Sequence, residues 1–169
     1  MTIAPSPLSP AAAPSAAGAA VADVTALLPS REALLHRLSA QLAAPIAPGT
    51  LMIVGLLRQD DGWPTAQSTL AEVTSLLAAS LRGEDWLGKS GPGEFAAVLA
   101  GPAVAAQNAA ARLVSAVPTL GIPGLTAAAG IAPLTAGVQA PEVLRRALVS
   151  LTAARRAGAG TVIVHREPY

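Results

Sequence analysis

Trp86-Leu87-Gly88-Lys89-Ser90-Gly91-Pro92-Gly93-Glu94-Phe95-Ala96-Ala97-Val98-Leu99-Ala100 is the stretch on which the fold turns. Two segments of strand length, Trp86 to Lys89 and Phe95 to Ala100, flank a Gly-Pro-Gly turn, which is the pattern of a β-hairpin. Downstream, Ala103 to Val117 reads as an alanine-rich helix and Leu125 to Ile131 as a strand. Pro141 suits the first position of a helix that runs to Ala157, where Gly158 ends it, and Thr161 to His165 is a last β-branched strand. Upstream, Thr69 and Glu72 have the spacing of a capping box, with Leu70, Val73, Leu76, Leu77 and Leu81 at helical period behind them. Leu51 to Leu57 is an unbroken apolar run of strand length, as expected of a strand buried on both faces. Before it, Ser30 caps a helix from Arg31 to Leu42 whose stripe is Leu34, Leu35, Leu38 and Leu42.

The order helix, strand, helix, hairpin, helix, strand, helix, strand predicts an α/β (α+β) sandwich, a central, mostly antiparallel sheet flanked by helices. At 169 residues the chain suffices for one domain with a sizeable core. We place that domain at residues 21–169. Residues 1–20, rich in Ala, Pro and Ser, read as a disordered tail because little in them can be buried to offset the entropy of ordering. The same twenty residues hold no Lys or Arg and so lack the basic region of a secretory signal.

The mean hydropathy is positive, +0.51, yet every apolar stretch is broken before the ~18–20 residues a spanning helix needs. A soluble, cytoplasmic domain is therefore expected. With 11 basic and 10 acidic side chains and no basic run, nothing points to nucleic acid. Cysteine is absent, and His36 and His165 are too few and too far apart for a histidine metal motif.

Four segments, in order, resemble the GGDEF family of diguanylate cyclases. Asp23-Val24-Thr25-Ala26-Leu27-Leu28-Pro29-Ser30-Arg31 is similar to the family's D-x-L-T-G-L-x-N-R opening, and Gly91-Pro92-Gly93-Glu94-Phe95 to its signature hairpin. Leu125-Thr126-Ala127-Ala128-Ala129-Gly130-Ile131-Ala132 resembles its V-T-x-S-x-G-V-A strand, and Ala154-Arg155-Arg156-Ala157-Gly158 its closing A-K-x-x-G. The resemblance spans about Asp23 to Val164. It implies a nucleotidyl-cyclase-like palm and, in active members, condensation of two GTP molecules into cyclic di-GMP by a dimer.

That chemistry needs carboxylates to hold divalent metal against the triphosphate, and glycines where backbone approaches phosphate. The position of the family's first metal-binding Asp is Gly55 here, and the third signature residue is Gly93; neither offers a side-chain ligand. Glu94 alone makes a poor two-metal site, and Asp60 and Asp61 lie in what reads as a loop. The guanine-recognising segment falls on Gly62 to Ser68 and lacks its Asn and Asp. Pro92 removes a backbone N–H from the phosphate loop. Arg155 keeps the charge of the phosphate-facing Lys, while the Arg four residues on is replaced by Ala159. No catalytic residue, metal or cofactor is assigned.

One family feature survives. Arg82-Gly83-Glu84-Asp85 fits the inhibitory R-x-x-D motif, five residues before the signature, which in family members binds cyclic di-GMP; Arg112 is the candidate second arginine. A structural use competes with this reading, because a cation is favoured just past a helix end and Asp85 can cap the turn into the hairpin. The expectation is a catalytically inactive GGDEF-like regulatory domain that binds cyclic di-GMP through Arg82, Asp85 and Arg112. Two alternatives remain open: a ligand-independent scaffold for protein contact or self-association, and a residual cyclase. Trp63 and Trp86 are read as packing residues, and His36 and His165 as solvated. Arg145, Arg146, Arg155 and Arg156 are read as a basic stripe on the last long helix, solvated or facing a phosphate or an acidic partner.

Overall fold

The structure, a computed structural model, describes residues 27–44, 46–58 and 65–167. The tail at 1–20, the opening residues Asp23 to Ala26, and Asp60, Asp61 and Trp63 lie outside the described residues. The described elements are α1 (Arg31–Ala43), β1 (Gly49–Arg58), α2 (Gln67–Ser80), β2 (Trp86–Gly91) and β3 (Glu94–Ala100). They continue with α3 (Ala103–Ala116), a 3-10 turn (Val117–Leu120), β4 (Leu125–Pro133), α4 (Ala140–Ala157) and β5 (Val162–Val164). The five strands form one sheet in the order β2-β3-β1-β4-β5, antiparallel throughout except for the parallel pair β4 and β5. The expected sandwich and its strand polarity are therefore what the chain adopts.

β1 lies at the centre, hydrogen-bonded on both edges and covered on both faces, which is why its sequence is unbroken apolar from Leu51 to Leu57 rather than alternating. Met52 and Val54 join Phe95, Ala97, Leu99, Ala129 and Ile131 in a core closed by α2 and α3. Leu51 and Ile53 join Ala96, Val98, Ala128 and Ala132 in a second core closed by α1 and α4. Two of the alanines that weaken the strand signal of β4, Ala128 and Ala132, have a packing reason. At Gly130 a Cβ would overlap the backbone of Ala147 and Leu151, so α4 lies directly on the strand and only small residues fit beneath it.

Ser30 caps α1 as expected, its Oγ accepting from the Ala33 N–H at 3.3 Å. The capping box at Thr69 and Glu72 does not form. α2 starts earlier, with Ala66 at the cap position and no side-chain cap, so Thr69 sits inside the first turn with its side chain buried. Burying that face outweighs the local capping signal. α3 stops at Ala116 rather than Val117, close to Pro118, whose missing N–H cannot extend an α-helical ladder.

In the hairpin, Pro92 and Gly93 form the two-residue connection, Gly93 at a φ of 64°. Proline followed by a glycine at positive φ is the signature of a type II turn, whose twist does not match that of the strands. The mismatch is absorbed next door, since Ser90 is an extra residue between the paired positions Lys89 and Gly91, a β-bulge. The bulge leaves Ser90 buried with its hydroxyl 3.4 Å from Glu94 Oε2.

Candidate functional site

Register places Glu94, the first residue of β3, directly opposite Gly55 of β1, and the Leu56 N–H donates to the Gly93 carbonyl at 2.9 Å to continue the ladder. Arg155 reaches this spot from the last turn of α4. Its Nη1 donates to Glu94 Oε1 at 2.8 Å, with both side chains largely withdrawn from water. A Cβ built on Gly55 would lie 2.5 Å from Arg155 Nη2 and 2.8 Å from its Cζ. The guanidinium therefore fills the space that any side chain at position 55 would need. A cation already neutralises Glu94, and it is the protein's own.

A second group of side chains meets at the far end of the hairpin. Arg82 follows the end of α2, and the four residues Arg82 to Asp85 fold into a turn closed by the Asp85 N–H donating to the Arg82 carbonyl at 3.0 Å. The Asp85 carboxylate accepts from the Arg82 N–H at 2.8 Å through one oxygen and from the Ala100 N–H at 3.2 Å through the other. Asp85 thus ties the turn to the end of β3. Arg112, on the exposed side of α3, faces the same cleft of about 70 Å³ as Arg82 and Asp85, floored by Leu99, Ala106 and Ala109. Neither guanidinium has an ion-pair or hydrogen-bond partner among the described residues.

Several solved structures superpose on this arrangement. The GGDEF domain of YfiN from Pseudomonas aeruginosa matches with a TM-score of 0.71 at 20% identity, over 82% of this chain and 91% of that one. The GGDEF domain of DgcB from Caulobacter crescentus, solved in complex with c-di-GMP, matches with a TM-score of 0.69 at 18% identity, over 83% and 92%. The chain has a GGDEF-like fold. The diguanylate cyclase SiaD from Pseudomonas aeruginosa, solved with its activator SiaC, also matches, with a TM-score of 0.71 at 22% identity over 81% of this chain and 58% of that one. No protein-family model and no curated protein matches the sequence.

Within this GGDEF-like fold the residues expected to hold divalent metal do not fit the task. Gly55 and Gly93 bring no oxygen, and Arg155 sits beside the one remaining carboxylate. No group of three or more His, Asp or Glu side chains among the described residues could hold a metal ion. Pro92 lies exposed at the tip of the turn, while Phe95 points into the core as a packing residue.

The basic stripe divides. Arg146 is mostly buried and bonded to Glu142 and Glu167, and Arg155 turns inward to Glu94. Only Arg145 and Arg156 stay on the exposed face. Trp86 packs as expected, its ring lying over Gly88, where a Cβ would strike it. His36 is exposed, and His165 is half-buried rather than fully solvated, its backbone N–H donating to the Ile131 carbonyl just past β5. The pairing of Arg155 with Glu94 is the functional feature that sequence reading missed. Its one signal in the sequence is an arginine and a glycine at two positions where the resemblance implies a lysine and an aspartate.

Proposed function

We propose that this chain is a regulatory GGDEF-like domain that does not condense GTP and that takes cyclic di-GMP at the cleft of Arg82, Asp85 and Arg112. The observation that carries the reading is the convergence of two unpartnered arginines on one cleft, Arg82 beside a turn held rigid by Asp85. A guanidinium offers a planar fork of donors that suits phosphate oxygens and the acceptor edge of guanine. The crystal structure of a similarly folded domain with c-di-GMP supports the choice of ligand class. The cleft is too shallow to enclose a dinucleotide, so the ligand lies across it, held by charge and hydrogen bonds. Loss of turnover follows from the donor set, since Glu94 is engaged by Arg155 and positions 55 and 93 carry no carboxylate.

Isothermal titration with cyclic di-GMP tests the reading. Saturable heat is expected, with affinity falling about tenfold to a hundredfold in Arg82→Ala and in Arg112→Ala, the loss of a charge-assisted hydrogen bond. No heat with the unmodified chain, or equal heat with both variants, overturns it. Incubation with GTP and Mg²⁺ or Mn²⁺ is expected to give no product above a blank; product would show that the Arg155 pair opens.

A further inference from the structure

The arginines of α4 that remain exposed form part of a surface with no role in the reading above. Arg145 and Arg156 share a groove of about 390 Å³ with Arg31, the first residue of α1, and the groove's apolar floor is Leu148, Val149 and Ala153. Val149 is 51% exposed. The α4 residues involved recur at helical spacing, so the groove follows one helix face for about 22 Å at ~1.5 Å per residue. No carboxylate lines it. Arg145 is held in place by two bonds to Glu142, both 2.7 Å, while Arg31 and Arg156 have no partner among the described residues.

We propose that this groove docks an acidic amphipathic helix of a partner protein. Its apolar side would sit on Leu148 and Val149, and its glutamates or aspartates would meet Arg31, Arg145 and Arg156. Charge complementarity decides the occupant: Arg31 and Arg156, without partners among the described residues, and Arg145, shared with Glu142, stand around an apolar strip and select an apolar stripe flanked by carboxylates. No described helix of a second copy of this chain supplies that pattern. α1, α2 and α4 each carry a single acidic residue, Glu32, Glu72 and Glu142, and α3 carries none. A lipid surface fits less well, because the patch is concave and offers no aromatic or leucine-rich ridge to bury in the headgroups.

The test uses the full chain and a fluorescein-labelled 16-residue probe with leucines at helical spacing flanked by glutamates. A lysine-flanked counterpart and a scrambled probe serve as controls. By fluorescence anisotropy the glutamate probe is expected to bind saturably and to weaken with salt. Its affinity is expected to fall about tenfold or more in the double variant Arg31→Glu, Arg156→Glu, as close opposite charges become like charges. Val149→Asp, a second variant at an exposed position, should lose binding to a similar degree, and circular dichroism melting confirms that both variants fold. The proposal is overturned by absent binding, by equal binding of the lysine or scrambled probe, or by indifference to these substitutions. Arginine-dependent binding to anionic vesicles without binding of the glutamate probe also overturns it, in favour of a membrane surface.

Discussion

At Glu94 a protein cation stands where the resemblance leads one to expect a metal. The Arg155 guanidinium satisfies the carboxylate at 2.8 Å and lies against Gly55, so restoring the missing carboxylates is not enough to restore a cation site. In Gly55→Asp, Gly93→Asp the new Asp at 55 meets Arg155 and pairs with it, and Mn²⁺ titration followed by electron paramagnetic resonance should show no tight uptake. Adding Arg155→Ala removes the competitor and leaves carboxylates from positions 55, 93 and 94 close together. Uptake is then expected, and equal uptake with and without Arg155 would show that the guanidinium yields readily. A second residue-scale prediction concerns Glu142. Hydrogen bonds from Arg145, then from Arg146, lower its pKa from 4.5 to about 2. A carboxylate whose folded pKa is lowered stabilises the fold above its unfolded value and loses that contribution as pH falls through the folded one. The melting temperatures of the unmodified chain and Glu142→Gln should therefore differ at neutral pH and converge between about pH 4.5 and pH 2. Side-chain carboxyl NMR titration reads the Glu142 midpoint directly.

Among the elements, α4 lies directly on β4 at Gly130, a contact sensitive to volume. Gly130→Ala forces the helix backbone off the strand and is expected to cost about 1–3 kcal/mol in urea unfolding, the usual range for overpacking. Gly83→Ala serves as the control, since a Cβ there meets nothing within 4 Å and its φ is not in the left-handed region; the change should stay within about 0.5 kcal/mol. Equal costs at the two sites would show that the close approach is not what constrains position 130. These contacts also explain which elements could be read from sequence. β1 and the hairpin announced themselves through an apolar run and a Gly-Pro-Gly turn, signals that act within a few residues. β4 is harder to read because Ala128 and Gly130 sit under α4, which contacts them from more than ten residues away in the chain. The start of α2 was misread because burial of Thr69, a tertiary effect, decided against the local capping pattern. The pairing of Arg155 with Glu94 spans 61 residues, beyond the reach of any local pattern.

For the molecule as a whole, charge is near balance, and what distinguishes one surface from another is how its arginines are engaged. Arg146 and Arg155 are consumed internally; Arg82 and Arg112 border the small cleft; Arg31, Arg145 and Arg156 border the long groove. The cleft and the groove share no lining residue, so a ligand at one should be insensitive to substitutions at the other. A thermal-shift series puts this to work, because any compound that binds the folded chain raises its melting temperature in proportion to RT ln(1 + [L]/Kd). Cyclic di-GMP at a hundred times its Kd contributes about 2.7 kcal/mol, or roughly 5–10 °C for a domain of this size. That rise should fall by about half or more in Arg82→Ala and persist in full in Arg31→Glu, Arg156→Glu. GTP should show no Mn²⁺-dependent rise in the unmodified chain, because the carboxylates that would bring metal to the triphosphate are missing. A Mn²⁺-dependent rise with GTP, lost in Glu94→Gln, would show that Glu94 leaves Arg155 to hold metal and would return the domain to the cyclases.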